Sequence, residues 1–345
     1  MTLTEQIKTF IHELGFQLTG VAPVQPFPEL SFYQDWIEAG RHGEMSYLER
    51  NAEKKTDVRN IAPLAKSVIV CAKIYHTDYP LSTEFKDPAN GWVSRYAWGD
   101  DYHEILQRKL FDVVSFLQEK VDENIVGRVY VDTGPVVDRV YAKYAGIGWF
   151  GKNTCIINQQ KGSWFFLAEI ITDLELDYDE PAPDRCGSCT RCIDACPTDA
   201  LLEPYLLDSR KCISYLTIEL KNNIPLELRD GIGNHVFGCD ICQDVCPWNR
   251  KAEAADDKAF HPRDGLVSPA LTDLAGLSIE EFREKFRRNP IKRTKHKGLL
   301  RNVAVAMGNS KQKDFIPTLQ VLADHEEPLI AEHAKWAIHK LRDEN

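Results

Sequence analysis

Cys186, Cys189, Cys192 and Cys196 fall in the pattern C-x2-C-x2-C-x3-C with Pro197 behind them, the thiolate run that wraps a [4Fe–4S] cubane in bacterial ferredoxins. Such a run handles single electrons. Three thiolates from one tight loop each take a corner of a cubane, and the proline-backed fourth points away toward a second cluster. A second set is therefore required. Cys239, Cys242 and Cys246 repeat the run ahead of Pro247, with Val236 where its first cysteine would stand, and Cys212 is the substitute. By the cross-over rule Cys186, Cys189, Cys192 and Cys246 hold one cluster, and Cys196, Cys212, Cys239 and Cys242 hold the other. Paired zinc ribbons also use C-x2-C knuckles, but they lack the x3-C-P ending that sends a thiolate across.

Eight of the ten cysteines are then consumed. Cys71 in VIVCAKIY and Cys155 in NTCII lie in apolar, strand-like runs, where a buried and inert thiol is expected. No basic-apolar signal peptide opens the sequence and no apolar run approaches the length of a membrane span, so a reducing cytosol is the expected compartment.

The chain that must position this chemistry has 345 residues, which suggests two or three domains and a job beyond electron transfer alone. Hydrophobic residues at 43% and charged residues at 27% fit an ordinary globular protein. Thr2 and Glu5 make a capping box ahead of Ile7, Phe10, Ile11 and Leu14, which predicts an opening helix. Strand-like runs follow at 16–21, 67–74, 128–131, 154–157 and 164–171, read as strands of one sheet, with helices predicted over 102–121 and 135–144. Residues 1–175 therefore read as a mixed α/β domain. The acidic, proline-rich LDYDEPAPD leads into a cysteine domain over 176–251, and 252–345 is helical in pattern, resembling HEAT-type repeats that would serve as a docking platform. The overall class is α+β. A net charge of −10 argues against nucleic acid, but between Phe282 and Arg301 nine lysines and arginines face only Glu284.

VDTGPVVDRVYAKYAGIGWFGKNTCII at 131–157, followed by the two cysteine runs and the helical tail, resembles the epoxyqueuosine reductases. NAEKKTDVR at 51–59, VSRYAWGDDYH at 93–103, GSWFFLAEI at 162–170 and CISYLTIELK at 212–221 match in the same order, so the resemblance spans nearly the full length. It implies reduction of the epoxide on epoxyqueuosine at a tRNA wobble position to give queuosine, the last step of queuosine biosynthesis. It also implies cobalamin, reduced to Co(I), as cofactor, fed by two [4Fe–4S] clusters. The sequence has no D-x-H-x-x-G motif, Asp101-Tyr102-His103 being nearest, so base-off cobalamin without a protein histidine on cobalt is expected.

Asp132 falls on the family's proton donor, and to act near neutral pH it must be desolvated enough to hold its proton. Cobalamin contacts carried over by matching motif are Lys55, Arg95, Asp132, Asn153, Ser163, Ser214 and Asp240. Lys221 matches a position near the substrate, and Arg287, Arg288, Lys292 and Arg293 of the basic island would hold tRNA phosphates. A monomer served by a low-potential electron donor suffices. Two other readings compete: a corrinoid reductive dehalogenase, which needs no basic tail, and a ferredoxin-type carrier, which leaves DTGP and AGIGWFGKNT without a purpose.

Overall fold

The computed structural model describes residues 1–343. Leu18–Pro23, Ser67–Ile74, Phe165–Thr172 and Gly127–Tyr130 form one sheet in that order, antiparallel at every junction. SVIVCAKI and FFLAEIIT occupy its centre because their apolar, β-branched side chains suit burial on both faces. Leu3–Glu13 and Tyr102–Lys120 cover one face, setting Ile7, Ile11, Leu106, Leu110 and Leu117 against Ile69, Ala168 and Ile170. On the other, Pro28–Glu38 and Asp138–Tyr144 bring Leu30, Val140 and Tyr141 onto Val68, Val70 and Ile171.

The run at 154–157 does not join this sheet. Thr154 has φ +65° and the Gly151 N–H donates to the Cys155 carbonyl at 2.7 Å, closing GKNTC into a tight loop. Only Ile156–Ile157 is left extended, and it pairs with Trp149–Phe150 in a separate ribbon. The helix expected from 135 begins at Asp138.

The three sequence segments interlock. Trp92–Val93 pairs in parallel with His235–Phe237, and Trp92 and Trp98 share a core with Val236, Phe237, Leu299, Val303 and Ile330. In the tail, Lys295–Asn309 is sandwiched so fully that Gly298 to Gly308 are all buried, with Ile316–Ala323 and Pro328–Asp343 packed on it. Arg301, counted above in the basic island, is therefore not a surface charge. Its guanidinium donates to the carbonyls of Leu216, Leu220 and Asn222 at 2.6–2.9 Å, tying the tail to the cysteine domain. Among the described residues no helix is long and apolar enough to cross a membrane.

Candidate active site

Asp132 follows the Gly127–Tyr130 strand in the left-handed region, at φ +57°. The Thr133 N–H donates to the Val131 carbonyl at 2.6 Å, so Asp132 is the central residue of a three-residue γ-turn. A non-glycine residue held there carries strain, which marks it as a site worth a functional account. The turn is braced from below by Lys55, whose Nζ donates to the carbonyls of Gly134 at 3.2 Å and Val136 at 2.8 Å.

Around the carboxylate stands a chain of polar groups to which the sequence assigned no part in the Asp132 chemistry. The Tyr102 hydroxyl donates to Asp132 Oδ2 at 2.9 Å. His103 Nε2 faces the same oxygen at 3.6 Å, an ion-pair distance too long for a hydrogen bond. Its Nδ1 is held by Asp101 Oδ1 at 2.7 Å, and Asp101 also caps the Tyr102–Lys120 helix. Arg293 Nη1 reaches to 4.0 Å of Asp132 while its Nε pairs with Glu219 at 2.8 Å. The stretch DDYH carried the signal, since a helix start places its cap and first two side chains together.

Desolvation pushes the Asp132 carboxyl up, but contacts from His103 and Tyr102, with the charges of His103 and Arg293, outweigh it and hold it at about 2. Its side chain is 51% accessible because it projects into a cleft, the walls enclosing it on other sides. For His103, desolvation pulls downward, and the bond it donates to Asp101, with the facing Asp132, raises it to about 9. Among the protein's own groups Asp132 is therefore held ionised near neutral pH, and the proton is held on His103, 3.6 Å away. Deeper in the sheet, Glu169 is fully buried with neither carboxylate oxygen bonded. Burial, with Asp138 and Asp132 nearby, pushes it well above the usual carboxylate range and keeps it neutral.

Asp132 opens on a cleft of about 1250 Å³ lined also by Tyr33, Lys55, Tyr96, Cys212 and Ser214. Arg287, Arg288, Lys292, Arg293 and Lys295 form one of its rims, so the exposed part of the basic island meets the Asp132 turn. Lys221 does not line the cleft, and its Nζ donates to the Ile218 carbonyl at 2.7 Å.

Four of the expected corrin contacts are spent elsewhere. Arg95 is 1% exposed, its guanidinium donating to the carbonyls of Thr77, Tyr79 and Pro80. Asp240, 1% exposed, accepts from Trp92 Nε1, Ser94 Oγ and the Arg95 N–H. Asn153 donates to the Cys242 carbonyl at 3.3 Å, and Ser163 Oγ to Gln243 at 2.9 Å. All four are buried and off the cleft wall; Asp240, Asn153 and Ser163 hold loops of the cysteine domain against the sheet domain, and Arg95 ties down the 77–80 loop. A shared motif identified the neighbourhood but not which side chain faces inward.

The eight cysteines gather in two groups. Cys186, Cys189, Cys192 and Cys246 surround a cavity of about 310 Å³. Cys212, Cys239 and Cys242 are neighbours, with Cys196 beside Cys212 and Cys239, and Cys212 reaches the cleft. Among the described residues no three His, Cys, Asp or Glu side chains converge on a single-ion site; thiolates at the corners of a cubane stand further apart. Burial pushes Cys192 and Cys246 up to about 11, so iron is what would hold them as thiolates. Cys155, expected to be inert, lies against Cys242.

Paired cysteine quartets beside a cleft with a charged acid–base pair define an iron–sulfur oxidoreductase. Residues 185–249 match the family model for a 4Fe-4S double cluster binding domain, and residues 55–133 match that for "Epoxyqueuosine reductase QueG, DUF1730". The epoxyqueuosine reductase of Pseudomonas aeruginosa is 41% identical over 98% of this chain and 94% of its own length, and that of Escherichia coli 39% over 97% and 89%. A crystal structure of epoxyqueuosine reductase with an epoxyqueuosine-modified tRNA-Tyr stem loop superposes with a TM-score of 0.90 at 35% identity, over 99% of this chain and 90% of that one. The enzyme from Streptococcus thermophilus does so with a TM-score of 0.89 at 31% identity, over 100% and 92%. The chain belongs to the epoxyqueuosine reductase family.

Proposed function

We propose that this chain reduces the epoxide of epoxyqueuosine in tRNA to the alkene of queuosine, with cobalamin in the cleft and two [4Fe–4S] clusters behind it. One observation carries the reading: the Asp132 turn, the Cys212 side of one cysteine quartet and a basic rim all open on the same cleft. At about 1250 Å³ the cleft exceeds the roughly 300–1,000 Å³ of ordinary small-molecule pockets, which leaves room for a macrocycle and a flipped base. His103 is the histidine of its lining; its Nδ1 is bonded to Asp101 and its Nε2 faces the Asp132 carboxylate in an ion pair. That supports cobalamin bound without a protein imidazole on cobalt.

Lys55, Asp132 and Ser214 are the carried-over residues that would hold cobalamin, and bound there it supplies a low-potential source of two electrons. This chain's own residues supply the first proton and the geometry. Going from epoxide to alkene breaks two C–O bonds and releases the oxygen as water, which takes two electrons and two protons; His103 stores the first proton and solvent supplies the second. His103 passes the first to Asp132 Oδ2, which passes it to the departing oxygen, while the Tyr102 hydroxyl keeps the carboxylate aimed into the cleft. Arg287, Arg288, Lys292 and Arg293 bind the phosphates of the anticodon loop, where a single-stranded wobble base costs little to extract. Cys186, Cys189, Cys192 and Cys246 hold one cluster, and Cys196, Cys212, Cys239 and Cys242 the other.

Anaerobic purification with cobalamin supplied, metal analysis, and turnover of epoxyqueuosine-containing tRNA test the reading together. Cobalt should copurify with iron, and Asp132→Asn should retain both metals while losing about 10²–10⁴-fold in turnover. An Asp132→Asn protein with wild-type turnover would remove Asp132 from the proton path.

A further inference from the structure

The first cysteine quartet has an outward side that the cleft chemistry does not use. Its cavity is walled by Lys152, Arg185 and Arg191 in addition to the four cysteines, and by no carboxylate. On a chain of net charge −10, three cations around one group of thiols is a local reversal of sign. Arg185 and Arg191 are exposed and make no ion pair among the described residues. The neighbouring acids Asp184 and Asp194 are exposed but do not line this cavity, and each is bonded to an adjacent group. Asp184 accepts the Cys186 N–H at 2.7 Å and the Tyr205 hydroxyl, and Asp194 accepts the Thr190 hydroxyl at 2.8 Å. Gly187, at φ +53°, has nothing within 4 Å of where a side chain would stand, so the loop tip projects into solvent.

The second quartet is placed differently. Cys212 meets the cleft, and Cys212 and Cys239 are packed among Ile213, Leu216 and Ile241. One quartet therefore faces the substrate side and the other faces solvent through a basic rim. Trp248, edge-on to Trp149 at 5.1 Å, closes the flank beside Cys246.

We propose that the Lys152–Arg185–Arg191 rim is the docking surface for a small acidic redox protein that delivers electrons one at a time to the outer quartet's cluster. The inference rests on the double-cluster reading of the domain and is independent of the substrate. In each encounter the carrier is oxidised by one electron and the cluster reduced by one; no atom or proton moves, and two encounters supply the reduction. A small face governed by a few charges suits this task, because such encounters bind weakly and must dissociate quickly.

The test uses the full chain loaded with its clusters and without cobalamin, mixed anaerobically in a stopped flow. A reduced acidic [2Fe–2S] ferredoxin is the probe, reduced methyl viologen the small cationic control, and bleaching of the cluster absorbance the readout. Arg185→Glu with Arg191→Glu should slow reduction by ferredoxin about tenfold or more, with the wild-type rate falling as salt rises. Methyl viologen should reduce the variant no more slowly, and the cluster midpoint potentials, followed by electron paramagnetic resonance, should stay put. Arg185→Gln with Arg191→Gln should give a smaller loss in the same direction at unchanged iron content. Wild-type ferredoxin rates in both variants would overturn the docking surface. So would equal slowing with methyl viologen, or a shift in potential, since the arginines would then tune the cluster. A wild-type chain holding less iron than two cubanes would instead overturn the double-cluster reading.

Discussion

At the scale of residues, catalysis turns on which group holds the proton, and the family resemblance and the geometry answer differently. With His103 at about 9 and Asp132 at about 2, the pair is a cation facing an anion across the whole neutral range. His103 is charged below about 9 and neutral above, so turnover should be flat through neutrality and fall as pH climbs past that value. His103→Gln should lower the plateau by about 10²–10³-fold and abolish the alkaline limb, measured as single turnovers across pH. An alkaline limb that survives His103→Gln would place the stored proton elsewhere. The same shift acts on stability: because His103 is raised on folding, its contribution is complete below its unfolded value of about 6.5 and is lost as pH rises through about 9. Asp132 was legible from its motif, but His103 and Tyr102 were not, because a helix start brings DYH onto the turn only once the 127–130 strand is docked beside it.

At the scale of elements, the 131–136 turn is a device for aiming one carboxylate. Gly134 has no room for a side chain, since a Cβ there would stand 2.3 Å from the Tyr130 ring and 2.9 Å from Tyr130 Cβ. The near end of Tyr130 cannot swing away, so Gly134→Ala must displace the turn itself. Turnover should fall by about 10²-fold, the scale of an ångström's misplacement, while the melting temperature moves by the few degrees typical of local overpacking. A variant that melts normally and turns over at the wild-type rate would show that the turn tolerates the shift. Four of the strand-like runs entered the sheet because β-branched, apolar runs can be buried only there. The fifth failed because a loop closure through Gly151 and Thr154 decides its path, and hydrophobic pattern carries no record of a backbone hydrogen bond. The DTGP signature likewise marked a turn without disclosing that Asp132, not the glycine, takes the left-handed position.

At the scale of the whole molecule, the tail forms part of the same body as the cysteine domain. Asn302 donates to the carbonyls of Thr217 and Val236 at 2.8 Å, and Arg301 to three more, so the helix that carries the end of the basic island also holds the inner quartet's supporting loop. This divides the island into two kinds of cation that sequence alone treated as one. Arg301 is wholly buried and desolvation draws it down to about 10, so its removal should unfold the tail and say nothing about RNA. Arg287 and Lys292 are exposed on the cleft rim and make no ion pair among the described residues. If they neutralise phosphates, the affinity for an epoxyqueuosine-modified stem loop should fall steeply with salt, and Arg287→Ala and Lys292→Ala should each reduce the slope of log affinity against log salt by about 1. Both variants should keep their iron and their melting temperature, because neither side chain supports the core. Arg293 should behave differently: paired with Glu219 and 4.0 Å from Asp132, its loss should raise the Asp132 carboxyl as well as weaken binding. Arg293→Ala is therefore expected to shift the pH profile of single turnovers at saturating tRNA, whereas the two rim variants leave that profile unchanged; a rim variant that alters the profile would mean the RNA and the proton are not handled by separate parts of the cleft.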